Sequence, residues 1–176
     1  QPYIQDKPYD WIQAYHVGGR SLLWGRHTQR WSDFDFTGPE RDGFAVDWPI
    51  RYKDLAPWYS YVEKFVGISG NKDGLETLPD GDFIKPYELS CVEKHFGQKV
   101  SQKYPDRHVI IARTANLSQA DKIHTSVGRS QCQNRNLCER GCPYGGYFSS
   151  NSATLPAAYN TGNLTLKPHS VAHSII

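Results

Sequence analysis

An α+β fold, with helices packed on a mixed sheet, follows from three features of the sequence. Apolar side chains recur at helical spacing in two long stretches, 52–66 and 88–104. A short β-branched run, His108-Val109-Ile110-Ile111-Ala112-Arg113, is bounded by turn formers and predicts a buried strand. Between these elements the chain is rich in Gly, Asp and Pro, as connecting loops are.

Residues 1–36 carry no sustained period and predict an extended, loop-rich segment, closed by Gly38-Pro39. The first helix is expected from Tyr52 to Val66, with Leu55, Trp58, Tyr59, Val62 and Phe65 inward, Pro57 tolerated near its start and Gly67 ending it. From Ser69 to Lys85 the composition predicts an exposed loop. Leu89, Val92, Phe96 and Val100 define the face of a second helix from Glu88 to Tyr104, and Pro105 stops it. After the strand at 108–113, the segment Gln131 to Gly146 is too rich in Gly, Asn and Pro to be regular, and Ser149 to Tyr159 predicts a short helix. Leu164-Thr165-Leu166 and His169 to Ile176 alternate as strands do.

A chain of 176 residues is long enough for one domain or for a piece of a larger one. Lysines and arginines exceed acidic residues by only two and are scattered, which excludes the electrostatic footprint of a nucleic-acid binder. No apolar run approaches a membrane span. The opening residues Gln1 to Lys7 lack the basic start and apolar stretch of a secretory signal.

Two patterns carry chemistry. In His16-Val17-Gly18-Gly19-Arg20-Ser21-Leu22-Leu23-Trp24-Gly25 the paired glycines let the backbone lie flat against a planar ligand, although such a pair also suits an ordinary turn. All five tryptophans fall between Trp11 and Trp58, an aromatic density that serves core packing or stacking on a planar ligand or sugar. The second pattern is Cys132-x5-Cys138-x3-Cys142-Pro143. Its spacing is compatible with a disulfide plus a free thiol, with three reduced buried cysteines, with zinc completed by His124 or His169, or with an iron-sulfur cluster on three thiolates. Cys91 stands apart on a helix face and reads as a small buried apolar side chain.

Together with Arg30, Trp31, Asp33-Phe34-Asp35-Phe36, Asp47-Trp48-Pro49-Ile50 and the run from Tyr52 to Tyr59, the glycine segment resembles the interior of the glucose-methanol-choline (GMC) flavin oxidoreductases, in the branch of pyranose oxidases and bacterial sugar and gluconate dehydrogenases. The resemblance implies a central piece of that family's plan. Residues 1–36 would be the flavin-proximal segment of the FAD-binding domain, 37–130 a helical and substrate-domain region, 131–160 the cysteine loop and helix, and 161–176 strands returning to the FAD-binding domain. It implies that Gly18, Gly19, Arg20, Ser21, Trp24 and Gly25 lie at the flavin, with Trp24 nearest its reacting edge, and that the Val171 backbone meets the adenine. Pyranose oxidases link flavin through a histidine just before the tryptophan; Leu23 stands there, so FAD would be held non-covalently. Dehydrogenases of the branch carry a 3Fe-4S cluster on three cysteines of the same spacing, which Cys132, Cys138 and Cys142 match one by one. Other members keep a Gly-Cys-Pro-x-Gly element here from which no cluster can be inferred.

Two expected parts are absent from the sequence: the Gly-x-Gly-x-x-Gly turn that cradles the FAD pyrophosphate, and the catalytic histidine segment, which the resemblance places beyond the equivalent of Ile176. No catalytic residue is assigned among the seven histidines. The expected parent oxidises a CH–OH group of a sugar, polyol or sugar acid, with an electron-acceptor subunit as partner if the cluster is present. Export to the periplasm is then favoured over the cytoplasm. By itself the segment is expected to be inactive. The competing reading is a non-catalytic carbohydrate- or protein-binding module stapled by a metal or disulfide at the cysteines.

Overall fold

The computed structural model describes residues 4, 6–10 and 12–175, so Trp11 and Ile176 of the sequence reading lie outside the described residues. In chain order the elements are a 3-10 turn at Gly19–Leu22, α1 (Asp33–Phe36), α2 (Gly38–Arg41), α3 (Tyr52–Val66), α4 (Cys91–Lys103), α5 (Lys122–Thr125), a 3-10 turn at Cys138–Arg140 and α6 (Thr154–Asn160). Gly38-Pro39 opens the turn of α2 and does not break the chain there; proline near a helix start costs no hydrogen bond.

The longest helix, α3, has the expected bounds. At its start the Arg51 N–H donates to the Asp54 carboxylate (2.8 Å), closing the first turn. At its end Gly67 adopts φ 75°, and its N–H donates to the Glu63 carbonyl (2.8 Å). A Cβ at residue 67 would run into Leu117 Cδ2. The buried stripe differs from the expected one, because Trp58 and Val62 are exposed while Glu63 and Val66 are buried. A polar pair turns the helix: Arg30 donates to both Glu63 oxygens (2.8 and 2.6 Å), to the Tyr52 hydroxyl and to Ser60 Oγ. Pro57 is the sixth helical residue, past the first turn, and leaves the Lys53 carbonyl without its helical donor. Both residues are exposed, so water can satisfy that carbonyl.

α4 begins at Cys91, three residues later than expected. Ser90 and Glu93 form a reciprocal cap there, Ser90 N–H to the Glu93 carboxylate (2.7 Å) and Glu93 N–H to Ser90 Oγ (3.3 Å). None of its residues is buried. Val92 and Phe96 are 72% and 60% exposed, and Cys91 is exposed, against the reading of a buried thiol.

Among the described residues, strand-like pairing is confined to isolated bridges. The run 108–113 makes no such bridge; pairing starts one residue further on. Ser69 and Thr114 exchange N–H···O bonds (2.9 Å each), Ala115 N–H donates to the Arg26 carbonyl, and Phe148 N–H to that of Ala115. Leu117 N–H reaches Gly146 O, and Cys132 N–H reaches Leu117 O. Residues 114–117 are therefore a spine joining four distant segments. Their short polar and small side chains (Thr114, Ala115, Asn116) hide this from an apolar-run criterion. The hydrophobic centre is Val66, Ile68 and Ala115, flanked by Trp24, Phe65, Phe83 and Phe148.

The 69–85 loop is tied down, with Gly70 and Gly81 buried. Arg113 donates to the Pro79 carbonyl (2.6 Å) and the Asp80 carboxylate (3.1 Å), and Asp80 accepts from the Asp73 N–H (2.8 Å). α6 starts at Thr154, after a turn at 149–153, with Pro156 in its first turn. Neither 164–166 nor 169–175 forms a strand; both are largely exposed.

Candidate functional site

The segment from Gly18 to Gly25 is a turn held from beneath by one guanidinium. Arg26 is buried and adopts φ 60°. Its side chain donates to the Phe148 carbonyl (2.9 Å), to those of Ser21 (3.1 Å) and Leu22 (3.3 Å), and to that of Trp24. Ser21 Oγ donates to the Gly18 carbonyl (2.6 Å) and accepts the Ser150 N–H (2.9 Å).

The two glycines serve different purposes. Gly18, at φ 100°, is backed by Asn151, whose Oδ1 would lie 2.6 Å from an added Cβ; close approach here is by the protein itself. Gly19, at φ 50°, has nothing within 4 Å of that position. Arg20, Leu23 and Gly25 are exposed beside it. This open shelf, with a cation at one edge, fits the approach of a flat anionic ligand such as FAD. Trp24 faces the other way, packed edge-on against Phe148 (6.1 Å between centroids) and against the core. Its Nε1 is buried without a hydrogen-bond partner. Leu23 and Arg20 are the exposed side chains beside Gly19. Val171 is 92% exposed, on the C-terminal stretch without regular structure.

Cys132, Cys138 and Cys142 line a single cavity of about 20 Å³ with Asn116, Tyr144 and Tyr147. That is room for one water-sized occupant. The cysteines are free thiols, which removes the disulfide from the alternatives in this structure. The loop reaches round through Asn134 at φ 52° and Asn136 at φ 54°, and through Gly141 at φ 93°. Asparagine and glycine are the residues that best tolerate this left-handed region. The Asn134 N–H points at Cys132 Sγ (3.4 Å).

Among the described residues no three His, Cys, Asp or Glu side chains are gathered so as to hold a metal ion. A cluster makes a different demand, because each thiolate takes its own iron and the three sulfurs need not converge on one atom. The ligand type is the one a cluster takes, three soft thiols with no disulfide among them, around a cavity whose room is that of a single water; Asn116 Oδ1 at its edge is buried without a partner. Burial, and then the neighbouring Cys132 and Cys138, push the Tyr87 phenol up, so it remains a proton donor.

Shelf and cavity are connected. Tyr147, which lines the cysteine cavity, lies under the Arg26 guanidinium at 3.9 Å from its ring centroid. The sequence brings out the glycines and the cysteines but not Arg26 or Tyr147. A lone arginine between small residues carries no periodic or spacing signal. Zinc gains nothing from His124: its Nδ1 accepts the Asp121 N–H (3.0 Å), and its Nε2 lies 3.0 Å from the Lys64 carbonyl, to which it donates.

No family model matches the chain. Individual proteins do. Over 141 residues, 80% of the chain, it is 24% identical to the fructose dehydrogenase large subunit of Gluconobacter japonicus. Over 136 residues, 76% of the chain, it is 31% identical to paromamine 6'-oxidase of Streptomyces fradiae. A third match, 28% over 120 residues and 60% of the chain, is 2-methyl-1,2-propanediol dehydrogenase of Mycolicibacterium austroafricanum. The class these matches define is that of oxidoreductases, dehydrogenases and oxidases by name. The chain spans between 21% and 25% of the length of these three relatives.

Proposed function

We propose that this chain is a central segment of a GMC-type, FAD-dependent oxidoreductase that oxidises a CH–OH group of a sugar, polyol or sugar acid. The observation that carries the reading is the open shelf at Gly19, set in a chain similar to oxidoreductases named for a sugar and a diol. In this reading FAD, bound non-covalently, supplies the hydride acceptor. Gly19 and Gly25 leave room for its ring system, Arg20 offers a cation to its anionic linker, and Leu23 closes the shelf. Arg26 and Ser21 keep that backbone fixed, so that little reorganisation accompanies binding. The proton of the substrate hydroxyl leaves to a histidine outside this chain.

The α+β parent fold belongs to the same proposal: the bridging segments, 108–112 and 164–175 find strand partners in the remaining domain. Cys132, Cys138 and Cys142 are offered as ligands of a 3Fe-4S cluster that passes electrons to an acceptor subunit, which would make the parent a dehydrogenase. No described helix is long and apolar enough to cross a membrane.

The test is an anaerobic absorption spectrum of the full-length protein with iron and sulfide analysis. Bound flavin with roughly three irons, the iron lost on Cys138→Ser, is the expected result. Flavin without iron would leave an FAD enzyme with structural cysteines. Neither flavin nor iron would sink the proposal in favour of the binding-module reading.

A further inference from the structure

A cleft of about 500 Å³ lies between the starts of α1 and α3 on one side and the 74–80 turn on the other. Asp33, Phe34 and Tyr52 line the first wall; Glu76, Thr77 and Asp80 line the second. None of its lining residues belongs to the 18–25 shelf or to the cysteine cavity.

Both walls are held in place by the protein's own bonds. Asp33 accepts the Tyr52 N–H (2.8 Å), which joins the two helix starts, and the Tyr52 hydroxyl accepts from Arg30 (2.8 Å). Opposite, Asp80 accepts from the Asp73 and Gly74 N–H groups (2.8 and 3.1 Å) and from Arg113 (3.1 Å). The Leu78 N–H closes the turn on the Leu75 carbonyl (3.1 Å). A concave space of this size with its walls already built suits a small organic ligand.

Its charge is one-sided. The charged side chains lining it are Asp33, Glu76 and Asp80, with no lysine, arginine or histidine among them. Arg113, buried and outside the lining, neutralises Asp80. Asp33 and Glu76 enter no ion pair among the described residues, so two uncompensated carboxylates stand on opposite walls of a chain whose net charge is +2. By contrast, the cleft at Lys64, Lys72, Asp82 and Asp121 sets two cations against two anions.

The chemistry of the ligand follows. A bare metal ion is a poor match, since no three His, Cys, Asp or Glu side chains are gathered to hold one among the described residues. Carboxylates held apart on two walls suit a cation carried on a larger body. The Phe34 ring is 56% exposed and, with that of Tyr52, offers an apolar surface to C–H groups. Arg41, its charge balanced by Asp42, already stacks on Phe34 (3.6 Å), so the ring is engaged as a cation–π surface. The Thr77 hydroxyl and the carboxylate oxygens can pair with ligand hydroxyls.

We propose that this cleft binds a sugar or cyclic polyol bearing a protonated amine, with the ammonium group between Asp33 and Glu76 and the C–H face on Phe34. The proposal stands on the cleft alone and does not depend on the flavin or on the cysteines.

Anaerobic titration calorimetry of the full-length protein tests it, with glucosamine as the probe and glucose and N-acetylglucosamine as neutral controls. At about pH 6, where the amine is protonated, glucosamine is expected to bind roughly tenfold more tightly than either control at low salt. That advantage should shrink as salt screens the carboxylates. Asp33→Asn/Glu76→Gln keeps an acceptor for the Tyr52 N–H; it should abolish the preference and leave the controls unchanged. Phe34→Ala should weaken all three sugars. If the double variant does not fold, Glu76→Gln alone, at an exposed side chain, should lower the preference about threefold. Glucosamine binding no tighter than the controls would overturn the proposal. So would a preference that survives the substitutions, as binding at the 18–25 shelf would give.

Discussion

Glu63 shows how much of this molecule rests on single polar side chains. It receives two bonds from Arg30 and a third from the Asp82 N–H (2.9 Å), and an added Cβ at Gly81 would come within 2.6 Å of both its oxygens. Removing it strands a buried guanidinium, so Glu63→Ala should cost about 3–5 kcal/mol, read from the midpoint of urea unfolding. Gly67→Ala meets both a left-handed backbone and the Leu117 methyl group, and a loss on the order of 3 kcal/mol is expected by the same measurement. His124 gives a pH dependence. Burial is the main cause holding its pKa below the ordinary value of about 6.5, so the unfolded chain takes up a proton before the folded one does. Unfolding free energy should therefore fall as pH drops from about 7 toward 5, and flatten in His124→Gln; equal slopes in the two proteins would refute this. Residues of this kind are the least legible in the sequence. The Gly18–Gly19 pair stands out, but that Gly18 answers to Asn151 and Gly19 to open space depends on a partner far along the chain.

At the scale of elements, legibility follows the locality of the forces. α3 is readable end to end because its cap and its terminal glycine lie within its own sequence. The start of α4 is set by Ser90 and Glu93, a local signal that the apolar run at 88–92 outweighs when the sequence is read alone. Which face each helix buries is not legible, since that is decided by Arg30 for α3 and by the lack of a described partner for α4. Pairing begins at Thr114 and not within 108–113 because β-branching marks a segment that fits a sheet, whereas pairing is fixed by the distant Ser69, Arg26 and Phe148. Pro57 supplies the prediction here. Replacing it by alanine restores a donor to the Lys53 carbonyl at an exposed helical site and should stabilise the protein by roughly 2 kcal/mol, seen as a higher thermal midpoint.

Over the whole molecule, apolar side chains that the described chain does not cover gather on α3 and α4: Trp58, Tyr61 and Val62 on one, Val92 and Phe96 on the other. The 176-residue segment alone is expected to self-associate, with a sedimentation coefficient that rises with concentration and falls back in a Val92→Lys/Phe96→Lys variant; a concentration-independent monomer would count against it. The glycine pair and the three cysteines stand out in the sequence by themselves. The polar interior does not, because buried arginines leave no trace in hydropathy. Arg26 carries a last consequence. The carbonyl it holds at Phe148 is 122 positions downstream. At a synthesis rate of about 5–20 residues per second, roughly 6–25 s separate the two on the ribosome. Through that interval the glycine turn has only its local bonds, from Arg26 to the Ser21, Leu22 and Trp24 carbonyls and from Ser21 Oγ to the Gly18 carbonyl. The tie to Phe148 closes only after Cys132, Cys138 and Cys142 have also left the ribosome, so the turn and the cysteine loop take their final places together.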